Sequence, residues 1–178
     1  MRRGARPQPG GLALDPTLPM DWYKRFKSKA CILKMKAESK EEALDEVAAQ
    51  ILSSGLVSDE LGESIRQALH DRESLASTGV GMNVAIPHVK VEGLTEAVCS
   101  LAVCKDGLEW RAVDGAPVQI LFTVIRPDGP TDEHDPEDHL EMMRWIAKLA
   151  RDTDFRAFAL QAKTKPQLVG LLKEMSSI

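Results

Sequence analysis

Cysteine is scarce and shows no pairing pattern. The three present, Cys31, Cys99 and Cys104, are odd in number and none stands in C-x-x-C spacing. That excludes a disulfide framework and argues against a thiolate zinc site. They are expected as reduced core residues, because a free thiol behaves as a small hydrophobe. Long apolar runs are missing as well: the longest, Val118 to Ile125, is broken by Gln119, whereas a membrane span needs roughly 20 apolar residues. Neither an internal repeat nor a heptad array is present. The amino terminus has the early arginines of a secretory signal, but Pro and Gly follow where an apolar block is needed, so a cytoplasmic protein is expected.

What is there suits one globular domain. The chain has 178 residues, 43% of them hydrophobic and 28% charged, with a net charge of −4. That apolar content is enough to offset the conformational entropy lost on folding. Charge is uneven: residues 1–30 hold seven Lys or Arg against two Asp, which leaves −9 for the remainder. An acidic body without an arginine stripe interleaved with aromatics is a poor surface for a polyanion, so no nucleic-acid partner is expected. Residues 1–29 read as a basic, Pro/Gly-rich and mobile leader, with Trp22 and Tyr23 as its docking side chains, and residues 30–178 as the domain.

The pattern becomes regular at Ala30. Residues 30–37 alternate as a half-buried or edge strand. Ser39 with Glu42 forms a capping box opening a helix that Gly55 stops, and Ser58 caps a second helix running to about Ser74. A glycine-punctuated loop then enters a short buried strand ending at His88. Ala97–Cys104 and Val118–Ile125 read as central strands covered on both faces, with a shorter strand, Leu108–Val113, between them. After a polar loop, Leu140, Met143, Ile146, Ala147 and Ala150 define a helix, and two short helices, Asp154–Ala162 and Pro166–Met175, follow. Strands grouped centrally with helices at both ends predict a three-layer α/β/α sandwich around a mixed sheet of about four to five strands. Trp110 and Trp145 are expected as packing residues.

Chemistry concentrates in Ser77-Thr78-Gly79-Val80-Gly81-Met82-Asn83-Val84-Ala85-Ile86-Pro87-His88. Gly79 and Gly81 let a backbone or ligand approach closely. Pro87 fixes its own φ and pushes Ile86 toward extended geometry, so His88 is presented from a stiff backbone.

This stretch resembles, without a gap, the S-T-G-I-G-N-G-I-A-I-P-H-G of the enzyme IIA components of the bacterial phosphoenolpyruvate-dependent phosphotransferase system, type 2 (fructose, mannitol and nitrogen-regulatory). The resemblance extends to Arg72, where the family has an active-site arginine, and to His139-Leu140, similar to the family's helix-opening H-L. It covers about residues 30–176. It implies a phosphoryl carrier in which His88 accepts the group on Nε2 from phospho-HPr and passes it to a IIB component, or holds it as a regulatory signal. Imidazole has a free lone pair near neutral pH, and phosphoryl transfer is helped by fixed cations and N–H donors. Arg72 would supply the guanidinium, His139 a further hydrogen bond, and Thr78, Gly79 and Gly81 a phosphate-cradling loop. The scheme needs no metal or cofactor and no membrane insertion.

The sequence departs from the family at Met82, Asn83 and Val89, the last standing where a glycine usually follows the histidine. Asn tolerates left-handed backbone, whereas the Val89 β-branch resists positive φ and would distort a site that required it. A non-phosphorylated regulatory module of the same fold is therefore the alternative. The acidic stretch from Asp132 to His139 has the composition of a divalent-cation loop but lacks an EF-hand or H-E-x-x-H order, so a solvated loop is expected there.

Overall fold

In the computed structural model, which describes residues 21–176, the first long helix starts at the expected cap. Ser39 Oγ accepts the Glu42 amide at 3.2 Å, and the Glu42 carboxylate accepts the Glu38 amide at 2.8 Å, one residue earlier than the reciprocal bond of a capping box. From there α1, Lys40–Ser53, buries Ala43, Leu44, Val47, Ala48 and Ile51. Ser58 makes no side-chain cap; Asp59–Leu61 wind into a single 3-10 turn before α2, Gly62–Leu75.

Five strands form one mixed sheet: β1 Gly79–Gly81, β2 Val84–Ala85, β3 His88–Val91, β4 Val98–Leu108 and β5 Val118–Pro127. The near-continuous apolarity of β5 suits its central place. It is antiparallel to β4 on one side and parallel to both β2 and β3 on the other, while β1 pairs antiparallel with β2. β2 and β3 are thus one line of extended chain interrupted at Ile86-Pro87, where proline has no N–H to give the ladder.

Three expected strands differ. His88 begins a strand rather than ending one, and Gly79–Gly81 is a strand rather than a loop. Residues 30–37 touch the sheet through the isolated bridge of Ile32 with Ala102, supported by Met35 N–H donating to Val103 at 2.9 Å. The chain bends at Leu33 and Lys34 between these contacts, so no ladder propagates. Leu108 is the last residue of β4, and Arg111 has φ +57°, which ends extended structure there.

Val89, Val91, Leu121 and Ile125 pack with α1 and α2 on one face of the sheet. Ile120, Phe122 and Val124 pack on the other face with α3 Pro136–Arg151, α4 Thr153–Gln161 and α5 Lys165–Glu174. The result is the three-layer α/β/α sandwich. In α3 the buried stripe is His139, Met142, Ile146, Leu149 and Ala150, and Leu140 is 57% exposed. Two apolar stripes lie one residue apart on this helix, and packing, not periodicity, chose the one that carries His139 inward.

The packed chain begins before residue 30. Phe26 is 1% exposed, meets Phe122 edge-on at 6.2 Å and bridges to Cys99. Residues 1–20 of the expected leader lie outside the described residues. Among the described residues no helix is long and apolar enough to cross a membrane.

Candidate functional site

His88 stands at the first position of β3, directly after the break in the sheet line. Its Nδ1 lies 2.7 Å from the carbonyl oxygen of Ile86. A carbonyl only accepts, so Nδ1 must carry the proton and donate it, which leaves Nε2 as the nitrogen with a free lone pair. Pro87 keeps this arrangement rigid, and its own carbonyl accepts the Val124 amide at 2.9 Å. The half-buried ring is therefore held in one orientation, with the lone pair on Nε2.

A cleft of about 460 Å³ opens beside it, lined by Arg72, Leu75, His88, Lys90 and Arg126 among others. Arg72 comes from the last turn of α2, where Nη1 donates to the Ala76 carbonyl at 2.8 Å. Lys90 and Arg126 face each other across the parallel pairing of β3 with β5. Asp71, also in the cleft wall, accepts from Gln67 Nε2 at 2.8 Å. The balance of the cleft is cationic, which suits an anionic group on Nε2. The structure thus brings Arg72 and His88 to the walls of one cleft.

The Ser77–Gly81 segment does a different job from the one expected. Glu73, 7% exposed, accepts the Thr78 amide at 3.0 Å and also the Thr78 hydroxyl. Lys40 Nζ lies 3.4 Å from the same carboxylate and donates to the Trp110 carbonyl at 3.2 Å. The Gly79 amide donates to Ser77 Oγ at 3.2 Å. Gly79 and Gly81 lie along Ala85 and Val84, whose partners on β5 are Leu121 and Ile120, whereas His88 pairs with Val124. Three residues of strand are about 10 Å. The structure therefore does not bring Gly79 or Gly81 to the imidazole. Gly79 is needed for packing: a Cβ there would stand 2.8 Å from the Cβ of Ala112. Glu73 instead ties the end of α2, and with it Arg72, to the strand that abuts Ile86, since the Ile86 amide donates to the Thr78 carbonyl at 3.0 Å.

His139 is 7% exposed on α3, with Nδ1 lacking a partner among the described residues. Its pKa is pushed down to about 4, first by burial and then by the positive charge of Arg126, His134, His88 and Lys90. It is a neutral imidazole within the electrostatic reach of His88. His134 packs against it with ring centroids 6.2 Å apart and is lowered for the same reasons, burial and then Arg126. Among the described residues no group of three or more His, Cys, Asp or Glu side chains gathers to hold a metal. Burial pushes the Cys31 thiol up to about 11 and the Cys99 thiol up to about 12, which makes neither a nucleophile.

The family departures are absorbed locally. Met82 and Asn83, with φ +57° and +64°, form the two-residue turn between β1 and β2, the geometry of a type I′ hairpin. Asp114 accepts the Met82 amide at 2.9 Å and holds the turn. Val89 is an ordinary strand residue buried against α1 and α2, so its β-branch meets no strain.

Sequence reasoning missed Arg126 and Glu73, and weighed His134 only as part of the acidic stretch from Asp132 to His139. Arg126 had a signal: it is the charge that ends the apolar run of β5. Glu73 had none, because a glutamate near a helix end reads as solvated.

Both the sequence and the fold have known relatives. Residues 25–175 match the family model described as "Phosphoenolpyruvate-dependent sugar phosphotransferase system, EIIA 2". A nitrogen regulatory protein of Pseudomonas aeruginosa is 31% identical over 143 residues, covering 78% of this chain and 86% of that protein. The fructose-specific EIIABC component of Bacillus subtilis is 25% identical over 142 residues, 80% of this chain but 21% of that much longer protein. Among solved structures, the nitrogen regulatory protein IIA-Ntr of Neisseria meningitidis superposes with a TM-score of 0.71 at 24% identity, covering 84% of this chain and 97% of that one. The Escherichia coli complex of enzyme IIAMTL with phosphorylated enzyme IIBMTL gives 0.66 at 18% identity, covering 84% of this chain and 99% of that one.

Proposed function

We propose that this chain, which belongs to the EIIA 2 family of the phosphoenolpyruvate-dependent sugar phosphotransferase system, carries a phosphoryl group on Nε2 of His88. The observation that carries the reading is the 2.7 Å hydrogen bond from Nδ1 to the Ile86 carbonyl beside a cationic cleft. The Nε2 lone pair attacks the phosphorus of phospho-HPr. The new N–P bond forms as the donor's N–P bond breaks, and the donor imidazole leaves with its electron pair. Charge gathers on the three equatorial oxygens, where Arg72 offers planar, permanently charged donors. The imidazole becomes more positive as it bonds to phosphorus, and the Ile86 carbonyl stabilises that charge through Nδ1–H. Neutral His139, which lines a neighbouring pocket rather than this cleft but feels the charge of His88, is the further N–H donor.

The same steps in reverse pass the group to a IIB component. In a regulatory branch the phosphorylated and free forms differ in the partners they bind. Both settings are cytoplasmic. The alternative of a non-phosphorylated module draws no support from Met82, Asn83 or Val89, whose backbone the fold accommodates.

The test is intact mass after incubation with phosphoenolpyruvate, enzyme I and HPr. The expected result is one acid-labile, alkali-stable phosphoryl increment on the wild type and none on His88→Ala. An unmodified wild type in the presence of phosphorylated HPr overturns the reading.

A further inference from the structure

We propose that Arg126 is a second guanidinium contact for the phosphoryl group on His88, an inference that rests on the phosphocarrier reading of that histidine. Strand register supports it. His88 pairs with Val124 and Lys90 with Arg126. Val89, Val91 and Ile125 point into the core beneath α1 and α2, so the alternate residues His88, Lys90, Val124 and Arg126 share the opposite face. One strand across and two residues along places the His88 and Arg126 Cα atoms about 8 Å apart, within reach of an extended arginine. Both side chains line the same cleft.

Arg126 is also available. Arg25 is held by Glu96 and Arg66 by Asp45 and Glu63, whereas the Arg126 guanidinium has no carboxylate or carbonyl partner among the described residues. It is the only charged residue of β5, and a half-buried guanidinium at the end of an apolar strand is costly unless it has an anion to bind. Arg72 already donates through Nη1 to the Ala76 carbonyl, so it brings less than its full donor set. The two approach from different elements, Arg72 from the end of α2 and Arg126 from the sheet, and would clasp the oxygens from two sides.

The test uses the full chain and phosphoramidate, a small donor that removes any dependence on HPr docking. Nε2 attacks its phosphorus, the P–N bond breaks, and ammonia leaves with the electron pair. Two readouts are taken: the initial labelling rate by intact mass, and the apparent pKa of the bound phosphoryl group by phosphorus NMR. Arg126→Gln is expected to slow labelling about tenfold and to raise that pKa, because a cation stabilising the dianion is gone. Arg126→Lys retains charge and falls between. Arg151→Gln, exposed at the end of α3, stays at the wild-type values. If Arg126→Gln fails to fold by circular dichroism, the Lys variant carries the comparison. A labelled wild type with both Arg126 variants matching it in rate and titration overturns this inference alone. A wild type that takes no label on His88 from either phosphoramidate or phosphorylated HPr overturns the phosphocarrier reading and this inference with it.

Discussion

His88 donates its Nδ1 proton to the carbonyl oxygen of Ile86, two residues back across Pro87, at 2.7 Å. The acceptor is backbone, so no side-chain substitution can supply or remove it, and the tautomer follows from the path of the chain itself.

In nitrogen-15 NMR of the unphosphorylated protein, His88 is therefore expected as the Nδ1–H tautomer once deprotonated. After phosphorylation, coupling to phosphorus is expected at Nε2. A phosphorus coupling at Nδ1 contradicts this orientation of the ring.

Glu73 is a buried carboxylate whose removal strands several groups. In Glu73→Ala the Thr78 amide and hydroxyl lose their acceptor and the half-buried Lys40 ammonium loses its counter-charge. Orphaned buried donors and an unpaired charge together cost about 3 kcal/mol. Urea denaturation is expected to show a lower midpoint with an unchanged slope, and Glu73→Gln, which keeps one acceptor, a smaller loss. A Glu73→Ala midpoint within error of the wild type would falsify the tie between α2 and β1.

The buried His139 makes stability depend on mildly acidic pH. Its pKa lies near 4 in the folded chain, against about 6.5 when unfolded. Between those values the unfolded chain binds a proton that the folded chain does not, so stability falls as the pH drops from about 6.5 toward 4. Above 6.5 this group contributes no slope. The loss is on the order of 2–3 kcal/mol, and His134, also lowered, adds to it in the same direction. Denaturation midpoints measured across that range should flatten in His139→Gln; a slope equal to the wild type would assign the effect to other groups.

Much of this protein was legible locally. Ser39 and Glu42 announced α1, the apolar run from Val118 announced β5, and the T-G-V-G-to-P-H stretch announced a constrained histidine. Each is a statement about residues a few positions apart, governed by capping bonds, side-chain periodicity and the fixed φ of proline. The segment at Ile32 shows where such reasoning stops, since alternation reports half-burial whether the chain forms a ladder or a single bridge.

Which side chains meet was decided by tertiary packing. The placement of β3 parallel to β5 puts Arg126 on the face of His88, and a one-residue slip would have sent it into the α1–α2 core. The rotation of α3 was chosen by burial between two stripes one residue apart, which turned His139 inward and Leu140 out to solvent. Glu73 became an anchor only because the chain folds back to set Thr78 against it. Register and rotation depend on buried area summed over residues far apart in the chain, and local spacing carries no record of that sum.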